Sequence, residues 1–409
     1  MLMNKNICNL YILFWFLYSI QKVLNISGII SQGILAVNLM ISLYCMWEVL
    51  RSSRVNAYFR ALTVLLGMFT VYGVALIVSG EKIAFPNMNE VTNSSYLKNI
   101  AISLLPIYSF YFFTQRGLLT ERMMKRWIGP LLLLAIAIFI YNRNMARVIA
   151  LAVGSDQVEF TNNAGYLFVA LFPIISFFRR KPFLQYTLLA ICMVFILAAM
   201  KRGAVVIGFL MTLIMLKDTL FNSSRTLKAS VIVLSLILIA GLIFAVDYYI
   251  NTSEYFNERI DATMSGDSSG RDILYSTFWD YFLHRNSDLQ YFFGAGALST
   301  IKVGGNFAHN DWLEIAVNHG LFGIIIYLYY WIVAFRCWLF SDKTQPYVLA
   351  FGLAIGTAFL QTLFSMSYAN MEFYSAMVIG YCLAKNEGFV DDEELEEELE
   401  ENEFQISSK

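Results

Sequence analysis

The chain has 409 residues, of which 58% are hydrophobic and only 14% charged, a balance far from that of soluble globular domains. The formal net charge of −1 hides an asymmetry: residues 387–409 hold eleven of the 30 acids and one of the 29 bases, leaving 28 bases against 19 acids in the rest of the chain. Those bases are scattered at the ends of apolar runs rather than gathered into a stripe, which argues against nucleic acid as a partner.

Apolar runs of about 15–22 residues recur along the whole length, enough to cross a hydrocarbon core of about 30 Å. They are continuous, not alternating, so helices satisfy the backbone rather than a closed barrel. The reading is an all-α polytopic membrane protein with about twelve spans, near 7–21, 28–50, 61–79, 99–115, 127–142, 164–178, 183–200, 203–217, 229–246, 313–338, 347–364 and 372–385. Residues 1–246 then carry spans one to nine, 247–312 form one large loop, 313–386 carry the last three spans, and 387–409 are an acidic tail read as disordered. The first run lacks a small-residue cleavage site and reads as a retained helix.

Short loops containing Arg51, Arg54, Arg60, Arg116, Arg122, Lys125, Arg126, Arg179, Arg180, Lys181, Lys217, Arg225, Lys228, Arg336 and Lys343 alternate with loops holding far fewer bases. The positive-inside rule makes the rich set cytoplasmic, which puts both termini inside and the 247–312 loop on the outer face. Leu118–Trp127 is basic and amphipathic and is expected along the inner surface. The five cysteines Cys8, Cys45, Cys192, Cys337 and Cys382 fall in or near spans and read as apolar fillers.

Lys201 and Arg202 interrupt two apolar runs with almost no turn between them, on the side poor in bases. They read either as a snorkelling pair at the lipid headgroups or as a phosphate-binding pair. In the large loop, Ile273–Phe282 has helical spacing and is expected to rest on the outer surface or cap the bundle. Gly266–Gly270 is a flexible approach to it, Ser268 or Ser269 a candidate cap, and Arg271 lies in its first turn, where a guanidinium and a helix N-terminus together suit phosphate. Arg259 and Arg285 are weaker candidates. Gly294–Gly296 and Gly304–Asn306 are turns.

His309 stands just before a span, followed by Asn310, Asp311 and Glu314. The carboxylates are expected to orient or charge the imidazole, the natural proton acceptor near neutral pH. Asn310 and Asp311 read equally as the N-cap of the next helix. His319 is off the His309 face, beside Gly320 and Gly323, which are expected to allow close helix packing. No metal-ligand spacing, nucleotide-type phosphate loop or GxSxG elbow occurs, so no metal and no cofactor are expected, and any donor carries its own activation.

His309-Asn310-Asp311-Trp312-Leu313-Glu314 followed by Gly320-Leu321-Phe322-Gly323 resembles the HNxxLE…GxxG pattern of the O-antigen ligase and O-antigen polymerase superfamily. Asn162-Asn163-Ala164-Gly165-Tyr166, Lys201-Arg202-Gly203-Ala204 and Ser269-Gly270-Arg271 are similar to landmarks of that family, in the same order. The motifs cover about 160–340. The resemblance implies a metal-independent GT-C-type glycosyltransferase of the bacterial inner membrane. Its donor is a glycan on undecaprenyl diphosphate and its acceptor is lipid-linked or lipid A-core glycan, with membrane lipids and a chain-length regulator as further partners. It also implies diphosphate binding by Arg202 and Arg271, with Lys201 beside them, and activation of the acceptor hydroxyl by His309. Asn163, Asn310, Asp311 and Glu314 stand as supporting residues.

The polymerase reading, joining O-antigen or capsular repeat units, is preferred to the ligase reading. A flippase or other transporter is the competitor from another class and predicts charged or broken helices near the bilayer midplane.

Overall fold

The computed structural model describes residues 5–52, 55–85, 90–152, 161–222, 225–252, 257, 261, 271–285 and 287–388. Gly266–Gly270 with the proposed Ser268 or Ser269 cap, Arg259, the Arg285 side chain and the tail from residue 389 lie outside the described residues.

The chain is helical almost throughout, as its continuous apolar runs dictate. Helices α1 (Lys5–Ile20), α2 (Gly28–Arg51) and α3 (Ala57–Ser79) are followed by a two-residue antiparallel pairing, with Ile83 opposite Val91. Then come α4 (Ser94–Leu104), α5 (Pro106–Gln115), α6 (Glu121–Ala152), the short α7 (Gly165–Val169) and α8 (Phe172–Ile175), α9 (Pro182–Ala198), α10 (Arg202–Asn222) and α11 (Arg225–Thr252). The loop contains α12 (Arg271–Asp280), a π-turn at Tyr281–Arg285, α13 (Asp288–Phe293) and α14 (Ser299–Gly304); α15 (Asp311–Leu339), α16 (Tyr347–Phe364) and α17 (Phe373–Lys385) close the bundle. Among the described residues seven helices are long and apolar enough to cross a membrane: α2, α3, α6, α10, α11, α15 and α16. Shorter apolar helices, α1, α9, α17 and the stretch Gly165–Phe178, accompany them. The protein is thus an all-α membrane protein.

Two expectations are corrected. Leu118–Trp127 does not form a separate surface helix, because α6 runs unbroken from Glu121 into its apolar stretch. The span expected over 164–178 is broken into α7, α8 and a 3₁₀ turn at Ser176–Phe178. Pro173 lies at the start of α8, where its missing N–H costs nothing but stops the preceding helix.

The centre of the bundle is α5 against α17, both buried along almost their whole length. Gly380 lets them touch: a Cβ there would stand 2.6 Å from the Tyr111 backbone nitrogen, the small-residue contact by which membrane helices approach closely. At one end of this core, Glu387 accepts from Asn56 Nδ2 at 2.6 Å and from Tyr111 Oη at 2.5 Å, and Asn386 Nδ2 reaches Ser341 Oγ at 2.6 Å. These bonds clamp the C-terminus of α17 to the neighbouring ends of α3, α5 and α15.

At the opposite end, α15 is not one straight helix. Gly320 has φ 66° and ψ −161°, a conformation open essentially to glycine. The break frees the carbonyls of Val317 and Asn318, which accept from Ala295 N at 2.9 Å and Gly296 N at 3.0 Å. The loop after α13 is thereby sewn to the helix by backbone bonds. Gly294 and Gly320 meet with no room for side chains, since a Cβ on Gly294 would lie 2.3 Å from the Asn318 carbonyl carbon. His319 is fully buried beside the break, its Nε2 2.8 Å from Tyr96 Oη and its ring among Phe69, Tyr72 and Tyr96. Of the two glycines expected to admit a neighbouring helix, Gly320 instead admits a loop backbone and Gly323 makes room for the His319 side chain of its own helix.

Candidate functional site

The sequence-selected cations and His309 meet at the C-terminus of α16, where helix carbonyls run out of intrahelical donors. The Phe364 carbonyl accepts from Arg271 Nη1 at 3.4 Å and from Tyr166 Oη at 3.5 Å. The Leu363 carbonyl accepts from Asn310 Nδ2 at 3.3 Å. Gly203 closes the same point from α10: a Cβ on it would stand 2.4 Å from Tyr166 Oη and 2.6 Å from Phe364 Cβ. Lys201 and Arg202, immediately before Gly203, are therefore at the same end of the bundle as Arg271. All three cations, like His309 and Asn310, are half-buried, reachable by solvent but partly stripped of it.

Local structure explains how α9 and α10 deliver Lys201 and Arg202. Met200 adopts φ 51°, a left-handed turn, and Val205 N bonds to the Lys201 carbonyl at 3.0 Å. The reversal thus takes only three residues, 199–201. Gly165 packs under it, where a Cβ would be 3.0 Å from Ala199 Cβ and 3.7 Å from Lys201 Cβ. Asn162 is buried and fastens the turn: its backbone N donates to Ala199 O at 2.8 Å, and its side chain donates to Phe139 O at 2.9 Å. Asn163, the residue expected to support the site, is exposed. The anchoring asparagine is its neighbour.

His309 also has a left-handed backbone, φ 52°, which costs a residue with a Cβ about 1–3 kcal/mol and persists only where neighbours enforce it. Asn310 is the N-cap of α15, with Oδ1 accepting from Trp312 N at 3.0 Å and Leu313 N at 3.2 Å. On the other side, Ala308 N donates to Glu314 Oε2 at 2.8 Å. Burial, then the charges of Lys201 and Arg271, hold the His309 imidazole below its ordinary pKa. It is therefore neutral, and able to accept a proton, at neutral pH.

The expectation that Asp311 and Glu314 orient or charge the imidazole is corrected. Asp311 is fully buried and turned inward, accepting from Tyr327 Oη at 2.6 Å, Ser367 N at 2.9 Å and Tyr368 N at 3.3 Å. Glu314 accepts from Thr300 Oγ1 at 2.5 Å and Asn318 Nδ2 at 3.0 Å besides Ala308 N. A carboxylate supplies about four acceptor sites and no donor, and each of the two gives most of its sites to backbone, hydroxyl or amide donors. They fix the segments around His309, not its ring.

Two tyrosines were not selected from sequence. Tyr166 caps Phe364, and Tyr275 Oη donates to the His309 carbonyl at 3.4 Å. The signal for Tyr275 was available: it lies one turn after Arg271 on α12, so the two share a face. Among the described residues no group of three or more His, Cys, Asp or Glu is placed to hold a metal. The chain matches no protein-family model and no curated protein.

Proposed function

We propose that this chain is an inverting, metal-independent membrane glycosyltransferase with twelve spans, acting at the outer face of a bacterial inner membrane with both termini in the cytoplasm. Its donor is a glycan carried on undecaprenyl diphosphate, and its principal reaction is polymerisation of O-antigen or capsular repeat units. The observation carrying this reading is the convergence of Lys201 and Arg271 with a neutral His309 at one helix end, where Arg202 follows Lys201 directly in the chain.

A sugar hydroxyl is a weak nucleophile, and His309 takes its proton as the new glycosidic bond forms at the anomeric carbon of the donor. The bond from that carbon to the diphosphate oxygen breaks in the same displacement, and configuration inverts. Negative charge grows on the departing diphosphate, where fixed half-buried cations stabilise it more than they stabilise the ground state. A guanidinium carries five N–H donors, enough for Arg271 to cap Phe364 and also hold phosphate oxygens. General-base assistance contributes about 10²–10⁴-fold.

Arg202→Ala, Arg271→Ala and His309→Ala should each cut glycan transfer about 10²-fold or more, to a small residual rate, while leaving membrane insertion and thermal melting close to wild type. Normal chain-length ladders from all three variants would refute the assignment. Loss of the gene decides the subclass: single repeat units left on the acceptor mean polymerase, and a bare acceptor with polymer on its carrier means ligase. A flippase gains some support from the break in α15, since broken helices mark transporters. That break is filled, because its freed carbonyls are bonded to residues 295 and 296. Transport by reconstituted protein without change in glycan length would reverse the ranking.

A further inference from the structure

We propose that Tyr275 is a positioning residue for His309, coupling the base to the cation that holds the leaving group; this rests on the glycosyltransferase reading above. Its hydroxyl bridges three site groups: it donates to the His309 carbonyl at 3.4 Å and meets the Arg271 guanidinium and the Asn310 side chain. His309 needs such support. Its backbone is left-handed, at φ 52°, and relaxation toward an ordinary conformation would swing the imidazole away from the cations. Glu314 holds Ala308 and Asn310 caps α15, fixing the residues on either side. The His309 carbonyl itself precedes the first helical bond, which runs from Glu314 N to Asn310 O at 3.0 Å. Tyr275 reaches that carbonyl from a different element.

The chemistry of a phenol suits this position. Burial raises the Tyr275 pKa, with Arg271 pulling partly against it, so the group remains a neutral donor across the working pH range. Arg271 and Tyr275 ride on one short helix whose inner face, through Phe278, is buried against Ala308 and Val317. Any shift of α12 that moves the leaving-group cation therefore also moves the support of the base. A purely structural Tyr275 would fill space there, and phenylalanine would do as well.

The test compares full-length wild type, Tyr275→Phe, His309→Ala and the double variant in proteoliposomes with a polyprenyl-diphosphate oligosaccharide donor. Tyr275→Phe should lower kcat about ten-fold, leave the donor KM within about two-fold and leave thermal melting unchanged. In the His309→Ala background it should cost nothing further, because the phenol acts through the imidazole. Wild-type rates for Tyr275→Phe, or the same fold loss with and without His309, overturn the proposal. A second arm needs no turnover: carbethoxylation of His309, followed by mass spectrometry in a His284→Asn background. Tyr275→Phe should speed it several-fold, and an unchanged rate overturns the positioning role. Absence of transfer by wild type would sink the glycosyltransferase reading alone, with the carbethoxylation arm still deciding Tyr275.

Discussion

At the scale of residues, the site divides labour between groups that face the recess and groups that hold them there. Asp311 and Glu314 are the most buried acids in the region, yet neither faces the imidazole; each ties a different strand of backbone to α15. The charges that matter to His309 are cations, and this fixes the sign of a pH experiment. Burial, Lys201 and Arg271 all lower the His309 pKa, so the acid limb of the rate profile should fall below the ordinary imidazole value near 6.5. Lys201→Ala removes one repelling charge, so its acid limb should move to higher pH. The donor KM should rise about 10–100-fold if a charge-assisted phosphate contact is lost. Rate profiles of kcat/KM for both proteins check this, and a limb that stays put or moves to lower pH separates Lys201 from His309. Stability follows the same sign. Below the ordinary imidazole pKa the unfolded chain binds a proton that folded His309 resists, so this group's contribution is present above that pH and is lost as pH falls.

At the scale of elements, α15 shows how a helix and a loop become one unit. Its break at Gly320 turns two carbonyls outward, and Ala295 and Gly296 supply the donors. Gly320→Ala puts a Cβ 2.5 Å from the Gly294 nitrogen and 2.6 Å from the Phe292 carbonyl carbon, at φ 66°. Both neighbours are backbone, so neither can turn aside. The expected cost is about 2–4 kcal/mol, read as a large drop in melting temperature in detergent. Gly33→Ala, with nothing within 4 Å, should leave melting within error, and equal melting of both variants would mean the break is not under constraint. This element also marks where sequence stopped being legible. Apolar length gave the positions of nearly all helices, and Asn310 before an apolar run gave the α15 cap, because both are local properties. The break at Gly320 and the inward turn of Asp311 were not readable, since each is decided by partners far along the chain, residues 294–296 and 367–368. The approach of both Lys201 and Arg271 to His309 likewise depends on α7, α10 and α16 meeting, which spacing along the chain does not encode.

At the scale of the whole molecule, the bundle has two chemically distinct ends about 35 Å apart, the length of the unbroken 23-residue α3 at 1.5 Å per residue. One end has the Glu387 clamp, with Arg336, Lys343 and Lys385 nearby in sequence. The other has His309, Arg271, the Lys302–Glu81 ion pair at 2.6 Å and the loop helices. The proposed orientation assigns the first end to the cytoplasm, as expected if short loops rich in Lys and Arg resist translocation. The proposed chemistry requires this orientation, for a lipid-diphosphate glycan awaiting polymerisation stands in the outer leaflet. The native cysteines make a labelling experiment clean: four are buried and Cys337 is half-buried, so a membrane-impermeant maleimide should leave wild type nearly unmarked. Asn306→Cys, exposed beside α14, should label in intact spheroplasts. Thr344→Cys, exposed between α15 and α16, should label only after lysis. The reverse pattern would put the cations and His309 in the cytoplasm, out of reach of an outer-leaflet donor. Labelling of both in intact spheroplasts would leave the site outside but break the odd number of crossings expected between the two probes across α15. The reverse pattern alone would remove the proposed substrate from the site, however well its residues are arranged.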